Sequence, residues 1–207
     1  MSKPVVIAFS GGCFSGKTTT MEKLKESLEK RGRSVATLSE LVRECKIESI
    51  DKLRQNPSAY LKFQQDIILE KIDAELICTK LNADVVLVDR AITDSLFYLM
   101  FYVDKSKLAF DDIALFYGLQ NRIRMHMKQA FEQIYSLVIE FSPINAMCDD
   151  KVFRPEQIGA LKYIEYDFIS MLNDYAVSSM PRKYIRWDLN TQSAEELILK
   201  IIEKYRL

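Results

Sequence analysis

The stretch Ile7–Leu24, IAFSGGCFSGKTTTMEKL, constrains the fold more than any other part of the chain. Val5, Val6, Ile7, Ala8 and Phe9 form a short, unbroken apolar run, partly β-branched, of the kind that suits a strand buried on both faces. From Lys17 to Arg31 the period changes: Met21, Leu24 and Leu28 recur three and four apart, and Gly32 supplies a stop. Between strand and helix lies Gly11-Gly12-Cys13-Phe14-Ser15-Gly16-Lys17-Thr18, followed by Thr19. It fits G-x-x-x-x-G-K-[ST] in the strand–loop–helix setting that this pattern requires. Its glycines permit a tight path that turns backbone N–H groups toward phosphate oxygens, and the helix N-terminus adds unpaired donors and a favourable dipole. Lys17 is expected to reach the β- and γ-phosphates, and Thr18 to place its hydroxyl on Mg²⁺.

The rest of the chain repeats the alternation of strand and helix. Ser34–Leu38 reads as a second strand, and Glu40 follows it at the carboxyl edge, where ligands of such sheets bind. A carboxylate there can orient an acceptor hydroxyl or take its proton, or sit in the first turn of a helix capped by Ser39. Arg43, one helical turn on, can bind an anion or pair with Glu40. A helix is expected over Ala59–Leu81, with Gln64 and Gln65 read as part of its solvated face and, alternatively, as substrate contacts. Val85–Arg90, VVLVDR, is a buried strand ending in a charged pair: Asp89 is placed to hold Mg²⁺ and Arg90 to neutralise an acceptor or a transferring phosphoryl group. A helix begins near Thr93 or Asp94, another runs from about Asp111 to Ile134, and Tyr135–Pro143 reads as the fourth strand. Arg122, Arg124, His126 and Lys128 are spaced two apart and so do not share one helical face. After the fourth strand a polar segment carries Asp149, Asp150 and Arg154, followed by a helix from Pro155 to about Val177. Arg154 is the expected lid arginine; its other reading is a surface residue paired with Asp149 or Asp150. Lys183–Leu189 supplies a fifth strand, and Ser193 with Glu196 fits a capping box before a closing helix over Ala194–Tyr205.

The pattern predicts an α/β fold with three αβα layers, a five-stranded parallel sheet and a short lid near 144–157, all within a single domain over 1–207. The 29 basic and 29 acidic residues cancel, which gives no support to non-specific DNA binding. Four widely spaced cysteines (13, 45, 78, 148) and one histidine, His126, suggest reduced thiols and make neither a compact metal motif nor a histidine triad. The sequence has no apolar run of membrane-spanning length and no clear signal peptide, so a cytoplasmic protein is expected, in host cytoplasm if the protein is viral. Oligomeric state stays open, a homo-oligomer included.

GGCFSGKTT, SELVRE after the second strand, VDR ending the third and the acidic segment CDDKVFR together resemble the P-loop kinases of the nucleoside and nucleotide kinase group. The chain is still more similar to AAA-like ATP-binding domains related to the ribosylnicotinamide kinase domain of NadR-type proteins. The resemblance implies ATP and Mg²⁺ as cofactors, bound by Gly11, Gly16, Lys17 and Thr18. It also implies that Glu40 or Asp89 serves the acceptor hydroxyl or the metal, that Arg90 fixes the acceptor, and that Arg154 contacts phosphate on closure. Lys151 stands where a turn glycine is expected in the lid, a departure from the pattern. The implied activity is ATP-dependent phosphoryl transfer to the hydroxyl or phosphate of a small nucleoside or nucleotide. The alternatives are a phage-type kinase acting on hydroxymethylpyrimidine bases in DNA, and a nucleotide-dependent regulatory ATPase.

Overall fold

The computed structural model describes residues 3–12, 15–38, 52–144, 155–178 and 183–207. Glu40, Arg43, Cys13, Phe14, Asp149, Asp150, Lys151 and Arg154 lie outside the described residues. Five strands pair in parallel in the order β2-β3-β1-β4-β5. They are β1 (Val5–Ser10), β2 (Val35–Leu38), β3 (Val85–Asp89), β4 (Leu137–Phe141) and β5 (Tyr184–Trp187). The helices between and after them are α1 (Lys17–Lys30), α2 (Pro57–Cys78), α3 (Ile92–Tyr102), α4 (Phe110–Gln129), α5 (Pro155–Val177) and α6 (Ala194–Tyr205).

The unbroken apolar runs of β1, β3 and β4 follow from burial on both sheet faces. Val6, Ala8, Val86, Val88 and Val138 point into a core with residues of α2, α3 and α4. Their neighbours Ile7, Phe9, Leu87, Ile139 and Phe141 point the other way, against Leu24 and Leu28 of α1 and Leu197 and Ile201 of α6. A strand with water on one face would have alternated with polar residues; these do not, because each successive side chain meets a helix. Asn56 caps α2 by accepting from the Ala59 N–H at 3.1 Å, with Pro57 in its first turn. The expected capping box of α6 is present: Ser193 Oγ accepts from Glu196 N at 3.1 Å, and Glu196 Oε2 accepts from Ser193 N at 3.1 Å.

Several boundaries and one face differ from expectation. The fourth strand is shorter than Tyr135–Pro143, because Tyr135 ends a π turn, Ala130–Ile134, whose Tyr135 N–H reaches Ala130 O at 2.8 Å. The helix expected to run to Ile134 therefore stops as an α-helix at Gln129. Gln64 does not face solvent; it is buried and donates to Tyr60 Oη at 2.9 Å. The long polar side chains of α2 deceived the pattern because several of them, Lys71 and Glu75 included, are satisfied inside the core rather than by water. Among the described residues no helix is long and apolar enough to cross a membrane.

Candidate active site

β1 sits between β3 and β4, and its carboxyl end opens into the glycine loop. Gly11 has φ 131°, and a Cβ there would lie 2.6 Å from Phe141 O on β4, so the loop's first turn tolerates no side chain. Gly16 has φ 77° and leads directly into α1. No side chain caps α1, and no acidic residue occupies its first turn. The positive end of its dipole at this terminus favours an anion. Lys17 is folded back over the loop: its Nζ donates to Gly11 O at 2.7 Å, to Gly12 O, and to Ser15 Oγ at 3.0 Å. Thr18 is half-buried and Thr19 exposed on the same turn.

Asp89 and Arg90 stand beside this loop. Phe9 and Asp89 are partners in the β1–β3 register, and Ala91 N–H donates to Phe9 O at 3.1 Å. The Asp89 side chain is buried at the end of β3. Arg90 adopts φ 64°, a left-handed conformation uncommon for a residue with a side chain. Its guanidinium lies 4.9 Å from the centre of the Tyr98 ring, 3.7 Å from Asp94 and 3.8 Å from Glu165. Sequence reasoning placed Asp89 and Arg90 here but missed those partners.

Asp94 is the residue whose importance was least legible. Placed at the start of α3, it is fully buried and accepts from Ser10 Oγ at 2.6 Å and from Gly11 N at 3.3 Å. It therefore ties α3 to the first turn of the glycine loop. Burial pushes its carboxyl up to about 6, against the pull of the nearby Arg90 and Lys17 charges. No signal in the sequence pointed to this role: Arg90, four residues earlier, lies outside α3 in a left-handed conformation, so the two do not share a helix face. Glu165 and Asn173 of α5 complete the enclosure. Glu165 accepts from Tyr98 Oη, and its side chain lies where a Cβ on Gly12 would come within 3.4 Å. Asn173 donates to Ser10 Oγ at 2.9 Å and to Glu140 Oε2 at 2.7 Å. Glu140, conspicuous in an apolar strand, is buried and also meets Arg186 at 3.4 Å. Glu165 and Asn173, 24 and 32 positions beyond the end of the fourth strand at Phe141, gave no local pattern by which to find them, since α5 reaches the loop only through the tertiary fold.

On the other side of the loop, a cleft of about 290 Å³ is bounded by Gly16, Thr19, Thr20, Lys23, Ile144, Leu189 and the Gln192–Glu195 segment. Among the described residues no three His, Cys, Asp or Glu side chains gather into a metal cage. The donors near the loop are instead hard oxygens, the Thr18 hydroxyl and the Asp89 carboxylate. That set fits Mg²⁺, which takes one or two protein oxygens and completes its shell with phosphate and water.

Comparison with known proteins follows the same lines. A NadR protein solved in complex with NR superposes with a TM-score of 0.67 at 18% identity, over 99% of this chain and 52% of that one. The present chain thus spans about half the length of that protein. A thymidylate kinase from Ehrlichia chaffeensis superposes with a TM-score of 0.57 at 15% identity, over 100% of both chains. No curated protein matches the sequence. These likenesses establish a P-loop nucleotide kinase-like fold. A family profile described as an AAA domain matches residues 6–180, and with most of its length matched the chain belongs to that AAA domain family.

Proposed function

We propose that the protein transfers the γ-phosphoryl group of Mg·ATP to the hydroxyl or phosphate of a small nucleoside or nucleotide. The observation that carries this reading is the convergence at one sheet edge of the uncapped α1 N-terminus, Lys17, Asp89 and Arg90. The 290 Å³ cleft beyond Gly16 supports placing the base of ATP between α1 and the Leu189–Ala194 segment. The phosphates then run over Gly11–Thr18 toward Arg90.

In this reading Lys17 exchanges its carbonyl partners for phosphate oxygens, which gather charge in the transition state. Thr18 and Asp89 would hold Mg²⁺, which would supply positive charge to offset that of the phosphates. Arg90 fixes the acceptor through its rigid fork of N–H donors, held in place by Asp94, Glu165 and the Tyr98 ring. Glu40 and Arg43 are proposed at the acceptor, with Glu40 or Asp89 as the base, and Arg154 as the closing arginine. We further propose that 1–207 act as one domain with a lid within 144–157.

The test is transfer of labelled γ-phosphate to two pools. One holds free nucleosides, nucleoside monophosphates and ribosylnicotinamide; the other holds DNA with and without hydroxymethylpyrimidines. Label on a small molecule is the expected result and identifies the acceptor. Label confined to modified DNA, or release of phosphate to water regardless of acceptor, overturns the reading.

A further inference from the structure

Behind the β3–α3 turn lies a buried polar quartet that the proposed chemistry does not use. Lys71 and Glu75 come from α2, His126 from α4 and Tyr135 from the end of the π turn, and each is less than a tenth exposed. Glu75 is the hub. Its Oε1 accepts from Tyr135 Oη at 2.6 Å and lies 3.3 Å from Lys71 Nζ, and its Oε2 accepts from His126 Nε2 at 2.8 Å. Burying such groups costs several kcal/mol of desolvation, which well-packed apolar residues would avoid. Stability alone is thus a weak reason for their presence.

The two ends of the quartet suggest another. Lys71 Nζ donates to Asp89 O at 3.1 Å, and Tyr135 Oη accepts from Ile92 N–H at 3.2 Å. Ile92 opens α3, so that N–H has no partner within its own helix. Between these two anchor points lies Arg90, in its left-handed conformation, a state that costs on the order of 1–3 kcal/mol and persists only when its surroundings over-determine it. Ala91 is fixed from the opposite side by Phe9 O. The π turn is what delivers Tyr135 to the quartet, and such turns are frequent at functional sites.

We propose that Lys71, Glu75, His126 and Tyr135 are positioning residues that clamp the Asp89–Ile92 backbone, holding the Asp89 carboxylate and the Arg90 guanidinium in register with the phosphate loop. The assignment of roles to Asp89 and Arg90 rests on the reading given above. The quartet touches neither nucleotide nor acceptor; it acts through the turn.

Tyr135→Phe tests this with little change in volume, and His126→Gln is a second variant that alters the hub from another side. Amide hydrogen exchange followed by mass spectrometry reads the clamp directly. In Tyr135→Phe the peptide spanning 88–93 exchanges roughly 5- to 10-fold faster, while β1 and α6 keep their protection. The Mg²⁺ concentration needed to support tight binding of a non-hydrolysable ATP analogue rises about 10-fold, with Mg²⁺-free nucleotide affinity within about twofold of the parent. Uniformly faster exchange, or an unmoved Mg²⁺ midpoint in a folded variant, overturns the proposal. If the unaltered protein binds no Mg·ATP, the kinase reading fails, and the exchange of 88–93 alone decides whether the clamp exists.

Discussion

At the residue scale the phosphate loop and its surroundings make sharp demands. Lys17 donates to the Gly11 and Gly12 carbonyls and to the Ser15 hydroxyl, which holds its ammonium over the loop at the N-terminus of α1. Lys17→Ala is expected to lower phosphoryl transfer on the order of 10²-fold or more while leaving the melting temperature of the ligand-free protein nearly unchanged, as steady-state kinetics and calorimetry would show. Gly11→Ala meets the Phe141 carbonyl at 2.6 Å in a backbone region closed to alanine. It is expected to lose about 1–3 kcal/mol in urea denaturation together with nucleotide binding. Asp94 makes a pH prediction whose sign follows from its raised carboxyl. Between its ordinary value of 3.8 and about 6 the folded protein holds a proton that the unfolded chain has released. The stability Asp94 contributes is therefore full below about pH 4 and is lost as pH rises through about 6. Relative to Asp94→Asn, the parent should lose on the order of 2 kcal/mol across that window in denaturation midpoints. The residue types of the loop were legible because each chemical demand falls on adjacent positions. Asp94, Glu165 and Asn173 were not, because their partners are distant in sequence.

At the scale of elements, local signals and tertiary ones divide cleanly. α6 was readable to the residue, since its capping box and its apolar stripe at Leu197, Ile198, Ile201 and Ile202 are both local. Ser193→Ala should cost about 1 kcal/mol in urea denaturation, with Glu196→Ala giving no additive loss, because the two caps form one reciprocal unit. α2 was harder. Its buried residues lie on one face, but that face includes Gln64, Lys71 and Glu75 beside Tyr60, Leu61, Ile68 and Ile72. Polar residues on the buried face break the apolar stripe by which an amphipathic helix is recognised. The π turn at Ala130–Ile134 was likewise invisible, since nothing in AFEQI marks the shift from i→i+4 to i→i+5 bonding.

At the scale of the whole molecule, the sheet order places three sources of chemistry on one edge: the β1 loop, the β3–α3 turn and α5. A ligand that bridges them should stabilise the entire fold. Mg·ATP at about 100 times its dissociation constant is expected to add about 2.7 kcal/mol to the unfolding free energy, measured by denaturation with and without nucleotide, and Lys17→Ala should abolish the gain. The sequence by itself determined the strands, most helices, the phosphate loop and the placing of Asp89 and Arg90, because hydrophobic period and loop chemistry are properties of neighbouring residues. Only the tertiary structure decided which buried polar groups meet. That Asp94 reaches Gly11, that Glu165 packs over Gly12 and that Glu75 gathers Lys71, His126 and Tyr135 depends on contacts spanning from 4 to 153 residues of chain. Apart from the Lys71–Glu75 pair within one helical face, such contacts leave no periodic trace, since each partner's environment is built by a different element.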